Sequence, residues 1–175
     1  MQISFSNKQQ SSHKGLLCFV KNIFLLFLLV SSSYGTDIDI NKLLQVAKNQ
    51  HKHIMFFHHI PGCPYCKTML DENFKDVSIL KEVHKDFVYV DIFIADNGNV
   101  KFKDFKGSYK EFSAYIGAPV YPSTIFMNGD GKVVHKAIGY RNIDEYFAEI
   151  TYVSTNSYKI MNLEEYVQKL EFEKD

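Results

Sequence analysis

The chain of 175 residues is neutral overall, with 20 lysines and arginines against 20 aspartates and glutamates. That length suits one ordinary domain with a hydrophobic core and is too short for two. The sequence contains no basic tract, glycine-rich phosphate loop or low-complexity segment, so nucleic-acid and nucleotide binding have no support.

Residues 1–35 have the organisation of an export signal. Lys21 precedes an apolar run over 23–30, and small residues lead to Gly35. The run is shorter than the ~20 apolar residues that a spanning helix needs. We therefore predict a cleaved signal peptide over 1–35, in preference to an uncleaved anchor. The mature domain over 36–175 is then exported, periplasmic in a Gram-negative cell, with no stable membrane insertion.

Hydrophobic periodicity and turn residues predict alternating helices and strands in the rest of the chain. The predicted elements are a helix over 41–50, a strand over 53–57, a helix from 63, a helix over 78–87, a strand over 87–95, a helix over 108–116, a hairpin over 123–128 and 133–138, a helix from 142, and a last helix within about 160–172. Residues 96–107 are predicted to form a solvated loop. Alternation followed by an antiparallel pair predicts an α/β fold, in which a mixed central sheet has helices on both faces. We expect the last helix to pack on its own domain.

The most informative motif is Cys63-Pro64-Tyr65-Cys66, which directly follows the first predicted strand. A cysteine at a helix N-terminus is stabilised as the thiolate, the reactive form of the sulfur. A second cysteine one helical turn later can attack a mixed disulfide on the first and resolve it. The third cysteine, Cys18, lies in the predicted leader, so the mature chain keeps only this pair. The spacing predicts Cys63 as the nucleophile and Cys66 as the resolving thiol.

The order of elements, with this motif after the first strand and Tyr121-Pro122 before the hairpin, resembles the thioredoxin fold over roughly residues 37–153. The resemblance is closest to the exported SoxW-type thioredoxins. It implies that Pro122 is cis and lies beside the reactive sulfur. It also implies that Pro64, Tyr65, Tyr121 and Pro122 contact the substrate polypeptide.

The sequence departs from that family at two positions. Cytoplasmic thioredoxins have a tryptophan before the first cysteine, where this chain has Gly62. They also have a buried acid six residues before that cysteine, which accepts the proton of the second thiol, and the matching residue here is Phe57. Proton transfer at Cys66 must therefore use water, a histidine or another group.

Several histidines precede the motif and raise an alternative function. They are His51, His53, His58 and His59. Two cysteines and two histidines can bind a metal ion. The alternative hypothesis is therefore a metal chaperone or metal-binding module that uses Cys63, Cys66 and a nearby histidine. Strand alternation would place His58 and His59 on opposite faces, and no second Cys-x-x-Cys completes a zinc pattern. We expect these histidines to be exposed polar residues at strand ends, and Asp91 to be a solvent-facing strand residue.

The sequence thus predicts an exported thiol–disulfide oxidoreductase that needs no cofactor. Cys63 would attack the disulfide of a client protein, and Cys66 would then release the reduced client. A membrane-embedded thiol electron donor would reduce the motif again. The same pair could oxidise client thiols in reverse, and the resemblance favours reduction.

Overall fold

The computed structural model describes residues 36–173, so the predicted leader lies outside the described part. The strands are β1 (Ile38–Asp39), β2 (His53–His59), β3 (Phe87–Phe93), β4 (Asn99–Phe102), β5 (Phe105–Ser108), β6 (Ser123–Met127) and β7 (Val133–Ile138). The helices are α1 (Ile40–Asn49), α2 (Pro64–Asp71), α3 (Val77–Asp86), α4 (Tyr109–Tyr115), α5 (Ile143–Ser154) and α6 (Leu163–Phe172), with 3₁₀ turns at Asn73–Lys75 and Ser157–Lys159. Within 36–173, no helix is both long enough and apolar enough to cross a membrane.

The main sheet has four strands in the order β3-β2-β6-β7. Strand β2 runs parallel to β3 and antiparallel to β6, and β6 pairs antiparallel with β7. All seven residues of β2 are buried, because the strand is central in the sheet and covered on both faces. The predicted mixed α/β sheet is confirmed.

Two hydrophobic clusters cover the two faces of this sheet. One joins α1 and α4 to alternate strand residues such as Ile54 and Phe56. The other joins α2, α3, α5 and α6 to the intervening residues Met55 and Phe57. Because successive strand side chains point to opposite faces, β2 contributes side chains to both clusters. This packing on both faces fixes the position of the C-terminal end of β2.

A small second sheet replaces the loop that was predicted over 96–107. Strands β4 and β5 form an antiparallel hairpin, and β1 pairs parallel with β4. In β4 the side chains of Val100 and Phe102 are buried while Asn99 and Lys101 are exposed. Such alternation is the strand pattern, but in four residues among lysines and an Asn-Gly pair it was too short to be recognised.

Three capping boxes begin helices where the sequence predicted them. Ser108, Asn142 and Asn162 each accept a hydrogen bond from the backbone of a glutamate three residues later, whose side chain bonds back to the cap. The last of these boxes opens α6, and Tyr166 of that helix is buried in the cluster that α5 lines. The C-terminal helix therefore packs on its own domain, as expected.

Candidate functional site

The paired cysteines lie where β2 passes into α2. The strand ends at His59, and Gly62 turns the chain with a positive φ of 71°. A residue with a side chain would be strained in this backbone conformation. Cys63 is the N-cap of α2 and Pro64 occupies its first turn, where the missing N–H costs nothing. The backbone N–H of Cys66 donates a hydrogen bond to Cys63 Sγ over 3.1 Å.

The two sulfurs form a disulfide, with their Cα atoms 5.3 Å apart. Cys66 is 2% exposed, whereas Cys63 is half-buried. The first turn of α2 contains no acidic side chain that would oppose a negative charge. After reduction, Cys63 is therefore the sulfur that the helix N-terminus stabilises as a thiolate and that a large substrate can reach.

Residues 121 and 122 lie at the same end of the sheet as the cysteines. Strand β6 begins at Ser123, which pairs with His58 at the end of β2. The Tyr121–Pro122 peptide bond immediately before it is cis. Pro122 is buried and Tyr121 is half-buried.

Tyr65 and Pro64 are exposed on the first turn of α2. The Tyr65 ring is 63% exposed, and its centroid lies 5.7 Å from that of Tyr140, which follows β7. The two aromatic rings thus form an accessible surface beside the disulfide. Sequence reasoning missed Tyr140, because its proximity depends on how β7 ends.

A cleft of about 510 Å³ opens beside the disulfide. Its lining residues are His59, Ile60, Gly62, Cys63, Pro64, Cys66, Lys67, Leu70 and Phe93. Three of the predicted site residues, Cys63, Pro64 and Cys66, therefore share this cleft. Tyr65, Tyr121 and Pro122 lie outside it.

The expectation that the histidines before the motif are exposed is wrong for three of the four. His53, His58 and His59 are buried in β2, and only His51 is exposed. The cause is the central position of β2, which pairs with β3 along its whole length and with β6 over residues 54–58. The His53 ring contacts Tyr158 Oη at 3.2 Å, and burial lowers the pKa of His53.

His58 is fully buried against the aromatic cluster of Phe56 and Phe112. Neither ring nitrogen has a hydrogen-bond partner within the described part of the chain. Burial, reinforced by the neighbouring His59, lowers the pKa of His58 to about 3. The side chain is therefore neutral at physiological pH.

His59 points to the opposite face and pairs with the acid of the neighbouring strand. Its Nε2 lies 2.8 Å from Asp91 Oδ1, and the Asp91 side chain is 52% exposed, in agreement with its predicted solvent-facing position. Stacking on Phe57 and a tilted contact with Phe93 hold the imidazole ring. Sequence reasoning missed this pair, because it depends on the parallel register of β2 and β3.

No group of three or more histidine, cysteine or acidic side chains is arranged to hold a metal ion between residues 36 and 173. In the oxidised state both motif sulfurs are bonded to each other. A cysteine binds a metal ion through its thiolate, so any metal set using Cys63 and Cys66 would first require reduction of the disulfide.

The far end of α2 is tied to the loop that carries Tyr140. The buried Asn73 amide donates hydrogen bonds to the carbonyl oxygens of Arg141 at 3.1 Å and Asn142 at 3.2 Å. Arg141 also forms an ion pair with buried Glu149. Burial raises the pKa of Glu149, but hydrogen bonds from His135 and Arg141 outweigh it and the net shift is downward. These contacts fix the aromatic surface relative to the cysteines.

The fold and the site together define a thioredoxin-fold protein with a Cys-x-x-Cys pair at the start of helix α2, directly after the central strand β2. The chain belongs to the family described as "Thioredoxin-like domain", whose sequence profile matches residues 40–154. No curated protein sequence matches the chain.

Solved structures with the same fold are similar at low sequence identity. A thioredoxin-fold protein from Helicobacter pylori is 17% identical with a TM-score of 0.56, and the match covers 69% of this chain and 80% of that one. A disulphide isomerase from Xylella fastidiosa is 20% identical with a TM-score of 0.51, and the match covers 66% of this chain and 88% of that one. A DsbH oxidoreductase is 15% identical with a TM-score of 0.51, and the match covers 90% of this chain and 96% of that one.

Proposed function

We propose that the protein is a thiol–disulfide oxidoreductase that reduces disulfides in client proteins. The observation that carries this proposal is the asymmetry of the Cys63–Cys66 pair. One sulfur is half-buried at the N-terminus of α2, and the other is 2% exposed one turn later. A structural disulfide closing so short a loop would stabilise the fold little, which favours a redox role.

In the proposed reaction the Cys63 thiolate attacks one sulfur of a client disulfide and expels the other as a thiolate. The Cys66 sulfur then attacks Cys63, the bond between Cys63 and the client breaks, and the client leaves with both sulfurs reduced. The two electrons that the client gains come from the cysteine pair, which becomes a disulfide. The exposed Tyr65 would contact the client, with Pro64, Tyr121 and Pro122 at the same end of the sheet.

Two further parts of the proposal rest on the sequence. The leader-like segment over 1–35 supports export by a cleaved signal peptide, and the resemblance to SoxW-type thioredoxins supports reduction as the working direction. A membrane-embedded thiol donor would then reduce the Cys63–Cys66 disulfide after each turnover.

Trapping of mixed disulfides tests the assigned roles. In Cys66→Ser the resolving attack is lost, so Cys63 should accumulate mixed disulfides with client proteins, visible as thiol-sensitive bands on non-reducing gels. Cys63→Ser keeps the buried sulfur alone and is the matched control, which should trap none. Equal trapping by both variants, or by neither, would refute the assignment.

A further inference from the structure

We infer that His59, positioned by Asp91, is the base that removes the proton from Cys66 when that thiol resolves the mixed disulfide. This inference rests on the proposed oxidoreductase function and concerns its second step. Sulfur attacks as the thiolate, so the Cys66 thiol must lose a proton before it can displace the client from Cys63. At 2% exposure, Cys66 has little contact with bulk water that could take that proton.

The residues of the cleft leave one candidate for this base. Besides the two cysteines, the ionisable side chains that line it among the described residues are His59 and Lys67. Lys67 forms an ion pair with Asp71, and an ammonium group has no lone pair with which to accept a proton. A neutral imidazole has a lone pair on one ring nitrogen and can accept a proton there. His59 is thus the group in the cleft that can act as the base.

Asp91 determines which nitrogen of His59 is available. A carboxylate only accepts hydrogen bonds, so Nε2 of His59 carries the proton that it donates to Asp91 Oδ1 over 2.8 Å. The lone pair then resides on Nδ1, and the bond to Asp91 is the hydrogen bond that the His59 ring makes within residues 36–173. Contacts with the rings of Phe57 and Phe93 hold the imidazole in place. Asp91 is therefore a positioning residue, since it acts through His59.

The Cys66 thiol gives its proton to Nδ1 of His59, directly or through one water in the cleft, and the resulting thiolate attacks Cys63 Sγ. The Cys63–client bond breaks and the client sulfur leaves as a thiolate. That thiolate takes the proton from the imidazolium, which returns His59 to its neutral form.

His58 provides a matched control within the same strand. It is also a buried histidine, but its ring lies on the other face of the sheet against Phe56 and Phe112, away from the cleft. Replacing it with phenylalanine keeps an aromatic ring in an aromatic environment. His58→Phe should therefore leave the chemistry at Cys66 unchanged.

A single-turnover experiment separates the two steps of the reaction. The reduced protein is mixed with a peptide disulfide, the reaction is quenched with acid at intervals, and mass spectrometry follows the Cys63–peptide mixed disulfide and the final Cys63–Cys66 disulfide. In His59→Ala and His59→Gln the mixed disulfide should form at the wild-type rate, because Cys63 is unchanged. Its resolution should slow by at least about tenfold, since general acid–base catalysis contributes about 10²–10⁴-fold.

Two additional measurements distinguish a base from a merely structural residue. Added imidazole should restore part of the lost rate in His59→Ala, whose cleft has room for it, and should not accelerate wild type or His58→Phe. Asp91→Asn should slow resolution without changing the first step. Asp91→Glu should recover the rate, because the half-exposed side chain has space to adjust.

The outcomes identify which claim fails. If His59→Ala and His59→Gln resolve the mixed disulfide within twofold of wild type, or if His58→Phe slows resolution equally, the inference about His59 is overturned while the oxidoreductase function stands. If imidazole does not restore His59→Ala, the role of His59 as a base is also overturned. If wild type forms neither a mixed disulfide nor reduced peptide, the proposed function fails and the inference fails with it.

Discussion

Burial of an unpartnered histidine should make the stability of this protein depend on pH. The pKa of His58 is about 3 in the folded state, against about 6.5 for an ordinary histidine in the unfolded chain. Below pH 6.5 the unfolded chain binds a proton that the folded protein does not. The contribution of neutral His58 is therefore complete above pH 6.5 and is lost progressively as the pH falls toward 3.

The magnitude follows from the width of that window. Each pH unit between the two pKa values costs about 1.36 kcal/mol. Lowering the pH from 7.5 to 5.0 crosses about one and a half units of the window and should cost about 2 kcal/mol of unfolding free energy. The side chain has no exposed surface, so solvent screening does not reduce this figure.

Urea unfolding of the oxidised protein at pH 7.5 and pH 5.0 measures the effect, with His58→Phe as the comparison. Carboxylates with lowered pKa values, such as Glu149, also lose stability in acid, but only below their unfolded pKa near 4.5. Subtracting the pH dependence of the unfolding free energy of His58→Phe from that of wild type cancels the contributions of the other titrating groups. The difference should be about 2 kcal/mol. A difference below about 0.5 kcal/mol would refute the reasoning that His58 is buried and neutral.

Two further substitutions test local contacts. Asn142→Ala removes the cap of α5 and should lower the unfolding free energy by about 1 kcal/mol in chemical denaturation, whereas Asn142→Asp should retain it. A loss of equal size in both variants would contradict the capping explanation. Tyr146→Phe leaves the buried Thr124 hydroxyl, 2.7 Å from Tyr146 Oη, without its partner and should cost about 1–3 kcal/mol. Adding Thr124→Val should recover most of that loss, and a double variant no more stable than Tyr146→Phe would disprove the proposed contact.

Local sequence patterns predicted those parts of the molecule that local forces determine. The apolar run before Cys63 indicated the strand that is observed as β2, and the helices predicted from 108 and 142 begin at capping boxes of Ser108 and Asn142. In the same way, the Cys-x-x-Cys spacing predicted a sulfur at a helix N-terminus.

Features that depend on strand pairing could not be derived from the sequence in the same way. His59 meets Asp91 only because β2 and β3 are parallel in one particular register, and a single-residue slip would move Asp91 to the other face. The burial of His58 depends on β6 and on Phe112 of α4, both far along the chain. Strands β4 and β5 were missed because each has only four residues, and their pairing stabilises them more than their composition does.

The tie between Asn73 and the loop at Arg141 and Asn142 has a consequence for the order in which the chain folds. These two hydrogen bonds join Asn73 to Arg141 and Asn142, which follow it in the chain by 68 and 69 positions. They therefore form only after most of the domain has been synthesised. Strand β2 likewise has one unpaired edge until β6 is available. A chain that is still being synthesised or exported can therefore contain both cysteines before the loop at Arg141 and Asn142 is available to hold the far end of their helix. We expect thiol reactivity in such an intermediate to resemble that of an unstructured peptide, and selective reactivity to appear only in the late, cooperative step of folding.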